Sequence, residues 1–395
     1  MKADLSNLWS TLAIMLLTVS VIGCGGGGTT TVDSSAAASS DGSWSWDLPK
    51  NFPQPQVPAD NPMSESKFQL GRRLFYDTRL SGNGSKACAS CHLQNLAFTD
   101  GKDFSSGSTG QKTLRSSMPL ANSVYHPTLT WANPTLTTLE KQMETPLFSA
   151  DPVEMGVNDA NRSEVLQRLR NDTDYVARFK AVFPQTSDPI SFDNIIKAIA
   201  TFQRGILSGN SRFDRYQRGE IALTTAEVRG LNLFNSEKAE CFHCHAGFNF
   251  NDQVLYAGQR VVEKPFHNTG LYNLANSGAY PIPNRGVFEI TLNPPDMGAF
   301  RAQSLRNVAM TAPYMHDGSL ASLEEVLDFY AAGGRNITEG PYTGDGRSNP
   351  YKSELITLID LNAQEKADII AFLKTLTDDG LLTNPRYANP FSTTP

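Results

Sequence analysis

The sequence predicts a mainly α protein, built as two similar helical domains with long loops. Three observations carry this. Segments with apolar residues at helical spacing recur along the chain, some opened by capping residues, while strand signals are sparse. Every cysteine except Cys24 falls in one of two identical Cys-x-x-Cys-His motifs, made by Cys88, Cys91 and His92 and by Cys241, Cys244 and His245. Each motif follows the same Gly-x-x-Leu-Phe pattern: Gly71, Leu74 and Phe75 match Gly230, Leu233 and Phe234.

Length and composition set the frame. A chain of 395 residues can hold two ordinary domains with sizeable cores. Hydrophobic residues at 39% and charged residues at 19% lie in the globular range. A net charge of −6 argues against nucleic acid as the main partner.

In chain order, residues 1–23 read as a signal peptide: Lys2 precedes an apolar run too short to span a bilayer comfortably. The run ends Val21-Ile22-Gly23-Cys24, which resembles a bacterial lipobox, so Cys24 is expected to carry a lipid anchor. That implies a periplasmic, outer-membrane-anchored lipoprotein. Residues 24–50 are rich in Gly, Ser, Thr and Ala and suit a flexible linker.

Residues 51–215 form the predicted N-terminal domain and residues 216–395 the C-terminal one. Each begins as helix, loop, then motif. The second copy opens with a capping-box pattern, Thr224 and Glu227. Further helices are expected over 163–183, 191–209, 322–332 and 362–379, the third stopping at Gly333-Gly334. The Pro/Gly/Asn-rich stretches 101–135 and 251–300 read as loops.

Cys-x-x-Cys-His is the attachment pattern of c-type haem. The two thiols add across the vinyl groups as thioethers, and the adjacent histidine reaches the iron. A structural zinc site wants four ligands, and each motif supplies three crowded ones. A redox-active pair needs no adjacent histidine, and a disulfide would not explain two of them. Two covalently bound haem c groups are therefore expected, one in each of two cytochrome c-like domains.

Two such motifs about 150 residues apart resemble the bacterial dihaem cytochrome c peroxidase superfamily, which includes MauG-like and MbnH-like enzymes. The likeness covers roughly residues 50–385 and rests on "LGRRLFYDTRLSGNGSKACASCH", "PVEMGV", "SGNSRFDRY" and "RAQSLRNVAMTAPYMHDGSLASLEEVL". The resemblance implies that the first haem meets hydrogen peroxide and the second stores or relays electrons. It assigns Glu154 as the distal carboxylate, Gln142 as a distal amide, and Pro146 and Met155 as apolar lining. Trp131 matches the tryptophan between the haems, although Trp-Ala-Asn replaces the usual Trp-Asp-Gly. Thr311 and Pro313 match carbonyl ligands of an inter-haem calcium, with Ser116 where the family usually has asparagine.

The resemblance also places Tyr330 where many relatives have a methionine ligand to the second iron. A tyrosinate there stabilises high oxidation states. The loop from Gly101 to Arg115 lacks the histidine that usually caps the first haem, which is then expected to keep an open side. His126, His267, His316 and His243 are the remaining competitors for iron. The implied activity is peroxide-driven oxidation of a partner protein, extending to tryptophan modification. The alternative is a peroxidase fed by a small redox protein. No tryptophan follows Trp131, so the sequence offers no indole exit route for electrons.

Overall fold

The computed structural model describes residues 44–392. The signal peptide, Cys24 and most of the predicted linker lie outside them. The described residues hold eleven α-helices and two small antiparallel pairs of two-residue strands.

The repeat seen in the sequence is also a repeat in packing. Helix α1 (Glu65–Phe75) is capped by the Ser64 hydroxyl, which accepts from the Lys67 N–H, and carries Glu65 in its first turn and Arg72 and Arg73 in its last. Its buried face bears Phe68, Leu74 and Phe75. After it come α2 (Leu139–Phe148), α3 (Arg162–Arg170), α4 (Thr173–Val182) and α5 (Phe192–Arg204). Helix α6 (Arg212–Gln217) leads to α7 (Thr225–Phe234), opened by the capping box that the sequence predicts. The short α8 (Phe288–Thr291) precedes α9 (Leu323–Ala331), α10 (Ala363–Lys374) and α11 (Asp379–Thr383).

Helix α1 crosses α5, and α7 crosses α10, at the repeated glycines. A Cβ at Gly71 would lie 1.9 Å from the Ala198 carbonyl oxygen, and one at Gly230 would lie 1.9 Å from that of Asp368. Phe202 and Phe372 stand at matching places, 3.0 and 2.9 Å from those Cβ positions. Helix propensity alone favours alanine by about 0.8–1.0 kcal/mol. Forcing a methyl against a backbone oxygen costs about 1–3 kcal/mol or more. The second effect wins, so Gly71→Ala and Gly230→Ala are each expected to lower the unfolding temperature. A calorimetric scan showing either variant stabilised would contradict the close crossing.

The apolar core follows these pairs. One cluster gathers Phe68, Phe75, Ile199 and Phe202, and the tail residues Leu381 and Tyr387 rejoin it. Another gathers Phe213, Phe234, Phe250 and Phe372. Against the second cluster lies a buried ion pair, with the Arg306 guanidinium 5.7 Å from the Phe250 ring centre. Arg306 donates to both Asp214 oxygens, at 2.9 and 3.0 Å, and its Nε donates to the Phe248 carbonyl at 2.8 Å.

Three predicted helix spans need correction. Residues 163–183 are two helices, because the Asp172 carboxylate accepts from the Asp174 and Tyr175 N–H groups and starts α4 afresh. The helix expected over 191–209 ends at Arg204, with Gly205 as its C-cap. Beyond it the chain turns away as Gly209 and Asn210 donate to Asp378. That same Asp378 caps α11, so 362–379 is also interrupted. Two strand pairs tie loop segments together: β1 (His267–Asn268) with β2 (Ala299–Phe300) inside the 251–300 stretch, and β3 (Asn336–Ile337) with β4 (Gly344–Asp345) after α9.

Candidate haem sites

Both motifs fold alike. Cys88–Ser90 and Cys241–His243 each form one 3₁₀ turn, and the His92 and His245 N–H groups donate back to Cys88 and Cys241 carbonyls at 3.1 Å. His92 Nδ1 lies 2.8 Å from the Phe98 carbonyl and His245 Nδ1 lies 3.1 Å from that of Phe250. A carbonyl can only accept, so each Nδ1 carries the proton and each Nε2 keeps its lone pair for a metal. Burial lowers the pKa of both rings, which favours the neutral, ligating form. Burial also pushes the Cys88 and Cys241 thiols up to about 12, so neither is a reactive thiolate on its own.

The second motif opens on a largely apolar cavity whose empty volume, counting its mouth, is about 1760 Å³. Cys241, Cys244, His245 and Tyr330 all line it. A tetrapyrrole fits this space and these donors. Tyr330 projects from α9, and its surroundings raise its pKa above the ordinary phenol value: first by burial, then through the charge of Cys244 and Cys241. The phenol and the thiols share the lining of one cavity.

Glu154 accompanies the first motif. Burial raises the pKa of Cys88 and Cys91 first, and the charge of Glu154 adds a smaller contribution to each. Burial alone raises the pKa of Glu154 itself. The loop that carries it is pinned on both sides. The Met155 N–H donates to the Pro146 carbonyl at 2.9 Å, the Gly82 N–H to the Met155 carbonyl at 2.8 Å, and the Ser108 N–H to the Glu154 carbonyl at 2.6 Å. Met155 is buried beneath it. Gln142 and Pro146 lie one turn apart on α2, and the proline has no N–H to return to the Gln142 carbonyl.

Trp131 lines the same cavity as Tyr330, its indole N–H donating to the Ser116 carbonyl at 2.9 Å. Ser117, also on that wall, lies 3.2 Å from His92 Nδ1 through its hydroxyl. The wall with Trp131 thus adjoins both motifs. Ser116, Thr311 and Pro313 line it too. Among the described residues no N–H donates to the Thr311 or Pro313 carbonyls, which leaves both free for a hard cation. The Ser116 hydroxyl donates to the Met315 carbonyl.

Among the other histidines, His267 and His316 line the cavity, the latter with Nε2 lacking a hydrogen-bond partner, and His126 and His243 lie off it. His126 is buried with Nε2 3.2 Å from Asn249 Nδ2, and burial and Arg301 hold its pKa well below the usual value. His267 lines the cavity but pairs with Asp252 at 2.5 Å. Burial lowers its pKa, but Asp252 and Cys244 outweigh this and lift it to about 10. His316 stacks on Phe300 at 3.8 Å, and burial pushes it down to about 4. His243 bonds Glu240 at 2.7 Å.

Sequence reasoning missed Arg301 and Met315 as cavity residues. Arg301 is buried, its backbone N–H donates to the Trp131 carbonyl at 2.9 Å, and its side chain reaches the Thr128 carbonyl. The "RAQSLRN" marker contained it without assigning it a role.

Two histidine-plus-dithiol sites, one coupled to a half-buried carboxyl and one sharing its cavity with a phenol, define a c-type dihaem oxidoreductase. A family profile described as di-haem cytochrome c peroxidase matches residues 65–222. The cytochrome-c peroxidase IdrP1 of Pseudomonas sp. (strain SCT) is 40% identical over 341 residues, 82% of this chain and 84% of that protein. The methylamine utilization protein MauG of Methylorubrum extorquens is 32% identical, over 83% of this chain and 82% of its own. A crystal structure of a MauG-like protein associated with microbial copper homeostasis matches with 60% identity and a TM-score of 0.87. The match covers 89% of this chain and all of that one. The chain belongs to the di-haem cytochrome c peroxidase family, and is an enzyme with two haem c groups.

Proposed function

We propose that the enzyme reduces hydrogen peroxide at the Cys88–His92 site and spends the two oxidising equivalents on a protein substrate, as a MauG-like oxidase. When bound, the haems supply peroxide reduction and storage of those equivalents. The chain supplies the rest. Glu154 moves a proton between the two peroxide oxygens, a step that needs a carboxyl within hydrogen-bond reach. Gln142 orients the bound oxidant, while Pro146 and Met155 exclude water. Trp131 couples the two sites, and Ser116, Thr311 and Pro313 hold a calcium ion at the wall they share. Residues 51–215 and 216–395 act as the peroxide and relay domains. The substrate is a periplasmic protein, whose oxidised residue we take to be tryptophan, and Cys24 tethers the enzyme to the outer membrane.

The observation that carries this reading is Tyr330 in the cavity of Cys241, Cys244 and His245. An anionic oxygen ligand favours the oxidised over the reduced metal. The 60% identity to a MauG-like protein supports it. One equivalent of peroxide added to the diferric protein should remove both ferric signals without prior reduction. Tyr330→Phe is expected to keep both covalent haems yet shorten the life of the oxidised state by about tenfold or more, or ~1.4 kcal/mol. Stopped-flow absorbance checks it; an unchanged lifetime removes Tyr330 from the account.

A second reading is a peroxidase drawing electrons from a small redox protein. Met315 favours it, because this residue also lines the cavity, and a thioether ligand would raise the potential. Turnover that requires half-reduction first, and that is lost in Met315→Leu, would establish this reading.

A further inference from the structure

We propose that Tyr280, Tyr272 and Tyr342 form the route by which oxidising equivalents leave the cavity for the protein surface. The route rests on the peroxide-driven reading above.

The rings form a continuous line. Tyr280 lines the cavity and is buried. Its ring centroid lies 5.6 Å from that of Tyr272, and Tyr272 lies 5.6 Å from Tyr342, both pairs edge to face. Tyr342 is 44% exposed. Three phenols thus step from the cavity wall to solvent. On the cavity side, Tyr280 also meets Phe300 at 6.3 Å, and Phe300 meets His316 and then Trp131.

The hydrogen bonds say which ring can hold the charge. A phenol that loses an electron must also lose its proton to an acceptor. The Tyr280 hydroxyl donates to the Asn268 amide oxygen at 2.7 Å, a poor base. The Tyr272 hydroxyl donates to the Asp317 carboxylate at 2.6 Å, a good one. The Arg335 guanidinium, 5.7 Å from the Tyr272 ring centre, disfavours a positively charged ring. Tyr272 is therefore the first stopping point, and Tyr280 is the bridge to it.

The step balances as follows. Tyr272 gives one electron toward the cavity, through the Tyr280 ring, and its O–H bond breaks as the proton passes to Asp317. The neutral Tyr272 radical then takes an electron from Tyr342 and recovers its proton from Asp317. Tyr342 releases its own proton to water and is re-reduced by a one-electron donor at the surface. Each peroxide removes two electrons, so the route is used twice.

The test adds peroxide to the diferric holoprotein, without reductant, in the presence of a nitroso spin trap. Mass spectrometry then maps the adducts. Tyr342 should be labelled. Tyr272→Phe should cut that label by about tenfold or more, with haem content and the resting spectrum unchanged. Asp317→Asn keeps every ring and should slow the appearance of the tyrosyl signal in electron paramagnetic resonance. Tyr351→Phe, off the line, should leave the label unchanged. Bleaching of the ferric signals with Tyr342 unlabelled, or labelled equally in Tyr272→Phe, overturns the route alone. Ferric signals that ignore peroxide overturn the proposed function and the route with it.

Discussion

Glu154→Gln is expected to slow the reaction with hydrogen peroxide by about 10²–10⁴-fold, the usual worth of a positioned proton carrier. Glutamine keeps the size and a hydrogen-bonding group but cannot exchange the proton. The loop should survive, because its backbone bonds from Met155 to Pro146 and from Gly82 to Met155 do not involve the side chain. Haem attachment, read from the reduced spectrum, is the control for folding. The pH profile gives a second signature. Burial raises the Glu154 pKa, so the base form that accepts the peroxide proton appears only above the usual carboxylate range. The acid limb of the reaction should lie correspondingly high and vanish in the variant. An unchanged rate in Glu154→Gln would remove this residue from the chemistry.

Asp214→Ala is expected to cost about 3–5 kcal/mol of stability, because it leaves Arg306 charged and buried without its partner. The loss should reach the second haem site as well. Arg306 holds the Phe248 carbonyl, and two residues on, the Phe250 carbonyl orients His245. Denaturant unfolding gives the stability loss, and a change in the second haem's spectrum gives the local one. The pair also predicts acid behaviour. Burial alone would raise the Asp214 pKa, but its bonds to Arg306 and Ser211 outweigh this and hold it low. A depressed native pKa means the stabilisation is complete above the unfolded value. It is lost as pH falls through the native one. The difference in stability between wild type and Asp214→Ala should therefore shrink in acid. A loss of under about 1 kcal/mol at neutral pH would contradict a buried pair and indicate a solvated one.

Much of the site was legible because its chemistry is written locally. Two Cys-x-x-Cys-His motifs place both thiols and the ligand within five residues, and a single turn suffices to gather them. The repeated Gly-x-x-Leu-Phe was also legible, but its meaning was not. Only the packing shows that Gly71 and Gly230 are the points where one helix backbone meets another. Helix ends were less readable, because Asp172 and Asp378 act through cap bonds that compete with an apolar periodicity continuing past them. Long-range pairs could not be read at all. Nothing in the sequence joins Tyr272 to Asp317, His267 to Asp252 or Arg306 to Asp214, since each depends on loops folding back across the cavity or the core. Met315 was hidden for the same reason.

The proposed function turns on an asymmetry between the two haem sites: the iron near Glu154 would keep an open side, and Tyr330 would bind the other. Resonance Raman spectroscopy of the resting diferric protein tests it most directly. The account predicts one five-coordinate high-spin centre, together with tyrosinate vibrations that disappear in Tyr330→Phe. Two six-coordinate centres, with a spectrum that Tyr330→Phe leaves unchanged, would contradict it.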